Sequence, residues 1–172
     1  MIGQPGQILV AGIGNIFLGD DAFGVDVAHA LARTEMPPEA LLVDFGIRGL
    51  DLAYALVEPW RAVILIDAIA RGGVPGDLYV VEPSGQSESA SGLDPHAMDP
   101  LHVLAAARSV GEITAPVFIV GCEPFSLGDE LEGRMGLSAV AQRSIPEAVE
   151  VVHRLLARLI HGRAPASTAI AV

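Results

Sequence analysis

A chain of 172 residues, 51% of them apolar and only 18% charged, is long enough to bury a full core and too hydrophobic to stay unfolded. Its 21 acidic residues against 10 basic ones leave a net charge of −11, which excludes the basic face that a nucleic-acid binder needs. The single cysteine, Cys122, excludes an intramolecular disulfide and a cysteine-rich zinc site, and a reducing cytoplasm fits it best.

The N-terminal segment MIGQPGQILV has no basic segment, long apolar stretch or cleavage site, so no signal peptide is expected. No apolar run reaches the roughly 18 to 20 residues of a membrane span, so a membrane is not expected as a partner. Gln7 to Ile13 predicts a buried first strand, closed by the glycines at Gly12 and Gly14. Asp20 or Asp21 is expected to cap a helix running to about Arg33, with Phe23, Val27, Ala28, Ala30 and Leu31 as its inner stripe. Ala40 to Phe45 predicts a second strand, and GLDLAYAL a short helix after it. The strongest strand signal is RAVILIDAI, from Arg61 to Ile69, which ends on the carboxylate of Asp67.

The connection ARGGVPG is too short for a helical crossover, so the strand DLYVVE is expected to form a hairpin with its predecessor. A long polar loop, PSGQSESASGLDPHAMDP, carries no periodicity of its own. Asp99 and Pro100 open a helix to about Ser109, and APVFIVGCE predicts a fifth strand. For the last helix two starts are open: a capping box of Ser144 and Glu147, or a start near Ser138 with Pro146 inside. Its apolar stripe is Val149, Val152, Leu156, Leu159 and Ile160, and Gly162 ends it. A single α/β domain over 1–162 with a disordered tail over 163–172 is expected. The alternation of strands and helices predicts a three-layer α/β/α sandwich around a mostly parallel five-stranded sheet with one antiparallel strand.

In such a sheet the parallel strands end at one edge, where ligands bind. Asp20 and Asp21 come after the first strand, Asp44 ends the second, Asp67 the third and Cys122 the fifth, and the loop carrying His96 can reach the same edge. Carboxylates gathered with few cations raise one another's pKa unless a cation neutralises them, and a divalent metal is the simplest such cation. An Asp/Asp/His set suits nickel, zinc, iron or manganese better than calcium or magnesium. Read singly, each residue also has an ordinary structural role, as a helix cap, a loop cap or a turn residue. His29, His102, His153 and His161 fall within helices and read as surface or packing residues. Cys122 reads as a small buried residue at a strand end, with a thiol nucleophile paired to His96 as the alternative. A nucleotide is not expected: Phe17 replaces the third glycine of a dinucleotide fingerprint, and two aspartates would repel a pyrophosphate.

The segment GIGNIFLGDDAFGVDVAHAL resembles the N-terminal signature of the hydrogenase maturation proteases, G-x-G-N and then an acidic pair, a small residue and a glycine. The resemblance continues through LIDAI around Asp67, DPH at His96, VGCEP and GLSAV, covering about Ile8 to Leu159 in consistent order. It implies a phosphorylase/hydrolase-like fold and an aspartic-type or metal-dependent endopeptidase. Such an enzyme removes the C-terminal extension of a nickel–iron hydrogenase large-subunit precursor once nickel is in place. It places the catalytic and metal-contacting roles on Asp21, Asp67 and His96, with nickel presented by the substrate, and substrate binding on Gly14, Asn15, Asp44 and Arg48. Asp21 stands where relatives often carry Glu. Phe45-Gly46-Ile47-Arg48 departs from the family's Gly-Gly/Cys-Thr run, and that segment is a candidate for choosing the large subunit. A non-cleaving, metal-dependent chaperone for the immature subunit would use the same three residues.

Overall fold

The computed structural model describes residues 3–83, 100–128 and 135–162. Five strands, β1 (Ile8–Ile13), β2 (Ala40–Gly46), β3 (Ala62–Ala68), β4 (Leu78–Val81) and β5 (Val117–Cys122), form one sheet in the order β2-β1-β3-β5-β4. The helices are α1 (Phe23–Leu31), α2 (Gly49–Leu56), α3 (Pro100–Val110) and α4 (Ala139–His161), with a short 3-10 turn over Gly19–Ala22 ahead of α1. The first four strands in spatial order are parallel and β4 alone is antiparallel, as expected.

Alternation along the central strands divides the core in two. Ile8 and Val10 of β1 and Ile64 and Ile66 of β3 face α1 and α4, whereas Leu9, Ala11, Val63 and Leu65 face α2 and α3. Every residue of β1 is buried, the mark of a strand covered on both faces. Helix α1 lies unusually close to the sheet because of Gly24: a Cβ there would sit 2.0 Å from the carbonyl oxygen of Ile66 and 2.3 Å from that of Ile13. Among the described residues no helix is long and apolar enough to cross a membrane.

Two expectations, on strand pairing and on the cap of α1, are corrected, and of the two starts open for the last helix the structure takes the one near Ser138. β4 does run opposite to β3, but it forms no hairpin with it. β5 lies between them, pairing in parallel with β3 from Val63↔Val117 onward and antiparallel with β4 from Leu78↔Cys122 to Val81↔Ile119. The more completely buried strand takes the inner place: five of the six residues of β5 are buried and none of β4 is. Neither Asp20 nor Asp21 caps α1, whose N-cap is Ala22 without a side-chain bond; both carboxylates are engaged elsewhere. The last helix starts at Ser138, whose Oγ accepts from the backbone N–H of Ala141, and Pro146 lies inside it. Ser144 instead donates to the carbonyl of Gly76 at 2.7 Å. Of the stripe expected for α1, Ala30 is only partly buried, and Val25 is buried in its place. His96, Asp99 and the tail 163–172 lie outside the described residues.

Candidate active site

The carboxyl edge is built first by the turn after β1. Gly14 has φ +135, and a Cβ there would stand 1.7 Å from the carbonyl oxygen of Asp21, so only glycine lets the chain double back. Its N–H donates to the Gly46 carbonyl at 3.1 Å, tying the turn to the end of β2. Asn15 then organises the chain as far as Asp21. Its N–H donates to Asp21 Oδ2 at 2.7 Å, its Oδ1 accepts from the Phe17 N–H at 3.0 Å, and its carbonyl accepts from the Leu18 N–H at 3.0 Å. Gly14 and Asn15 therefore shape the edge mainly through their backbones.

The two aspartates of the acidic pair have opposite surroundings. Asp20 is buried, and its carboxylate accepts from the N–H groups of Phe125 (2.8 Å), Ser126 (3.3 Å) and Ser138 (2.6 Å) and from the Ser138 hydroxyl (2.8 Å). It fastens the turn after β1 to the loop after β5 and to the start of α4. Asp21 is partly buried and, among the described residues, accepts only the Asn15 N–H. Burial pushes its pKa above the ordinary value of 3.8, and the Asn15 hydrogen bond opposes this without cancelling it. A carboxylate in that state gains from the arrival of a cation.

Asp67 is fully buried near the end of β3, opposite Gly121 of β5, and its Oδ1 accepts from the Ala68 N–H at 2.8 Å. Because β1 and β3 are parallel neighbours, the turn after β1 that carries Asp21 and the end of β3 that carries Asp67 lie at the same edge of the sheet. The third expected member, His96, lies outside the described residues, and among these no cluster of three His, Cys, Asp or Glu could hold a metal. The described part contributes two hard oxygen donors, which suit a divalent cation.

Asp44 and Arg48 lie on the β2 side. Asp44 Oδ2 pairs with Nε2 of His29, an exposed residue of α1, at 3.0 Å. The Arg48 guanidinium donates to the carbonyls of Asp44 and Phe45, lies 5.7 Å from the Phe45 ring centre, and reaches Asp51 at 4.0 Å. A cavity of about 330 Å³ opens between this turn and the Gly14–Phe17 turn.

Sequence reasoning missed Glu123. This buried carboxylate accepts from the N–H groups of Arg71 (2.9 Å) and Gly72 (3.1 Å) and from the Tyr79 hydroxyl (2.8 Å). It thereby holds the connection that leaves β3 just after Asp67. Burial alone would raise its pKa, but the hydrogen bonds from Arg71, Tyr79 and the glycine N–H groups outweigh it and bring the pKa below 4.5. The same contact, with burial as the larger cause, pushes Tyr79 up to about 12. The only signal in the sequence was a carboxylate directly after a strand. Burial, reinforced by the charge of Asp20, likewise pushes the Cys122 thiol up to about 12, so the neutral thiol is favoured over the thiolate. That is unfavourable for the thiol alternative. Of the helical histidines, His153 pairs with the Thr34 hydroxyl at 2.9 Å. His102 keeps both ring nitrogens buried with no hydrogen-bond partner among the described residues.

Residues 25–155 match the family model described as hydrogenase maturation protease. The chain belongs to the hydrogenase maturation protease family. It is 33% identical over 153 residues to the hydrogenase expression/formation protein HupD of Rhizobium leguminosarum bv. viciae, covering 87% of this chain and 74% of that protein. To the hydrogenase 2 maturation protease of Escherichia coli it is 28% identical over 148 residues, covering 85% and 88%. The solved structure of the hydrogenase maturating endopeptidase HybD from E. coli superposes with a TM-score of 0.71 at 29% identity, covering 88% of this chain and 93% of that one. That of the maturation protease HycI from Thermococcus kodakarensis gives 0.61 at 25%, covering 91% and 93%. Membership makes the chain a peptidase of hydrogenase maturation, consistent with C-terminal processing of a large subunit, and gives no support to the non-cleaving chaperone.

Proposed function

We propose that this maturation protease removes the C-terminal extension of a nickel–iron hydrogenase large-subunit precursor only after nickel has been loaded, with Asp21, Asp67 and His96 meeting the nickel that the precursor carries. The observation that supports it is the state of Asp21, a partly buried carboxylate with one hydrogen bond among the described residues and a raised pKa. Held beside the strand end that carries Asp67, it favours a substrate that brings positive charge. A divalent ion offsets the two carboxylates, whereas docking of a metal-free precursor would desolvate them without compensation. Nickel-loading is thereby checked before the cut.

In hydrolysis the nickel supplies a Lewis acid at this edge. The chain's own part is to hold the two carboxylates in place, through Asn15 and the Ala68 N–H, and to present the peptide to water, which replaces the unreactive Cys122 thiol as nucleophile. Gly14, Asn15, Asp44 and Arg48 form the adjoining substrate-binding wall. On this reading the peptidase is aspartic-type or metal-dependent and works in the cytoplasm.

The test is the mass of a nickel-loaded large-subunit precursor, and of its nickel-free form, before and after incubation with the protein. Loss of a short C-terminal peptide from the loaded form alone is expected. Equal cutting of both forms would remove the nickel check, and cutting that survives Asp21→Ala, Asp67→Ala and His96→Ala alike would remove the site.

A further inference from the structure

The cavity between the Gly14–Phe17 and Phe45–Arg48 turns is lined by Ile16, Phe17, Val25, Phe45 and Ile47, with Asn15, Asp44 and Arg48 as its polar side chains. Ile16 (43% exposed), Phe17 (56%) and Ile47 (61%) present large apolar side chains to solvent around this one opening. Isolated exposed apolar residues are ordinary, but three converging on a single cavity mark a surface made to be covered.

The two charged residues of the lining are already matched within the protein. Asp44 is paired with His29, and Arg48 is folded back over Phe45 onto two carbonyls of its own turn. The cavity therefore offers apolar contact rather than a free charge. Its volume of about 330 Å³ lies at the small end of ligand sites, enough for one large side chain together with the backbone that carries it. Its walls are also set in advance: Asn15 fixes the Phe17 N–H and the Leu18 N–H, Gly14 is tied to Gly46, and the N–H of Arg48 donates to the Phe45 carbonyl. A rigid wall loses little freedom on binding.

The cavity is continuous with the proposed catalytic edge, because the residue that lines it, Asn15, is the one that holds Asp21. We infer that it is a specificity subsite for one large apolar side chain in the C-terminal stretch of the precursor, close to the bond that is cut. This rests on the peptidase reading above and adds to it the chemistry of the residue selected.

The probe is the nickel-loaded large-subunit precursor, together with single variants in which each apolar residue flanking the scissile bond is replaced by Asp. Ile47→Asp and Phe17→Ser are expected to raise KM roughly 10- to 100-fold with kcat nearly unchanged, since a mismatched apolar pocket discriminates by about that much. Leu50→Asp, exposed but away from the cavity, is the control and should leave KM unchanged. One Asp-bearing precursor should show the same loss with the wild-type enzyme and be recovered by Ile47→Lys. Melting curves matching wild type establish that the variants fold, and Phe17→Ser serves should Ile47→Asp fail to do so. An unchanged KM in both cavity variants, or a loss that no Asp-bearing precursor reproduces and Ile47→Lys does not relieve, would overturn the subsite alone. Failure of the wild-type enzyme to cut the precursor at all would overturn the peptidase reading and the subsite with it.

Discussion

The rim beside β4 and β5 and the rim beside β1 and β2 both carry acidic residues at the ends of strands, and the fold treats them in opposite ways. On the first, Glu123 is buried under three donors, and its charge favours the folded state. On the second, Asp21 is partly buried with one donor among the described residues, and its charge is disfavoured there. Asp20, one residue away in sequence, shares with Glu123 a full set of donors: four hydrogen bonds from the loop after β5 and the start of α4 surround it. Carboxylates that join elements are fully engaged within the protein. Asp21, one of the two carboxylates proposed to face the metal, keeps a single donor among the described residues, a condition that favours the arrival of a cation.

Breaking the joining carboxylates should cost stability, beginning with the largest effect. Asp20→Ala removes four charge-assisted acceptor contacts and should destabilise by about 3–4 kcal/mol, measured by denaturant unfolding. A value under about 1 kcal/mol, the net worth of a single ordinary hydrogen bond, would show that the loops hold without it. Glu123→Ala should cost about 2–3 kcal/mol, because its three donors sit in a more open connection that water can partly re-satisfy. Its pH dependence is set by the sign of the shift. A carboxyl group held below 4.5 in the folded state stabilises above that value, and the contribution is lost as pH falls through its folded pKa. The stability gap between wild type and Glu123→Gln should therefore be widest near neutrality and close in acid; a gap independent of pH would contradict the assignment.

Asp21→Asn sharpens the contrast from the other side, with the smallest effect on stability and a complete one on processing. Since burial raises the pKa of Asp21, its contribution is favourable below 3.8 and is lost as pH rises through its raised folded value. The amide, which still accepts from Asn15, should melt slightly higher than wild type at neutral pH, match it in acid, and cut no precursor. A lower melting temperature at neutral pH would place Asp21 among the joining carboxylates instead.

Much of this was legible in the chain itself. Apolar runs and glycine turns located the strands to within a residue or two, and GLDLAYAL proved to be α2 from end to end, because these features depend on local periodicity and turn chemistry. The signature GIGNIFLGDDAFG identified the family, and its glycines have concrete reasons in the close approaches at Gly14 and Gly24. Other matters depended on partners far away in sequence. The placing of β5 between β3 and β4 was decided by which strand buries more completely, not by the short connection between β3 and β4. Ser138 rather than Ser144 begins α4, and Asp20, 118 residues away, receives both its N–H and its hydroxyl. Sequence alone determined most of the elements and the family, since each depends on neighbours along the chain. Only the tertiary structure showed that Asp20 joins three parts of the fold while Asp21 keeps a single hydrogen bond among the described residues, because the donors that surround Asp20 come from residues more than a hundred positions away.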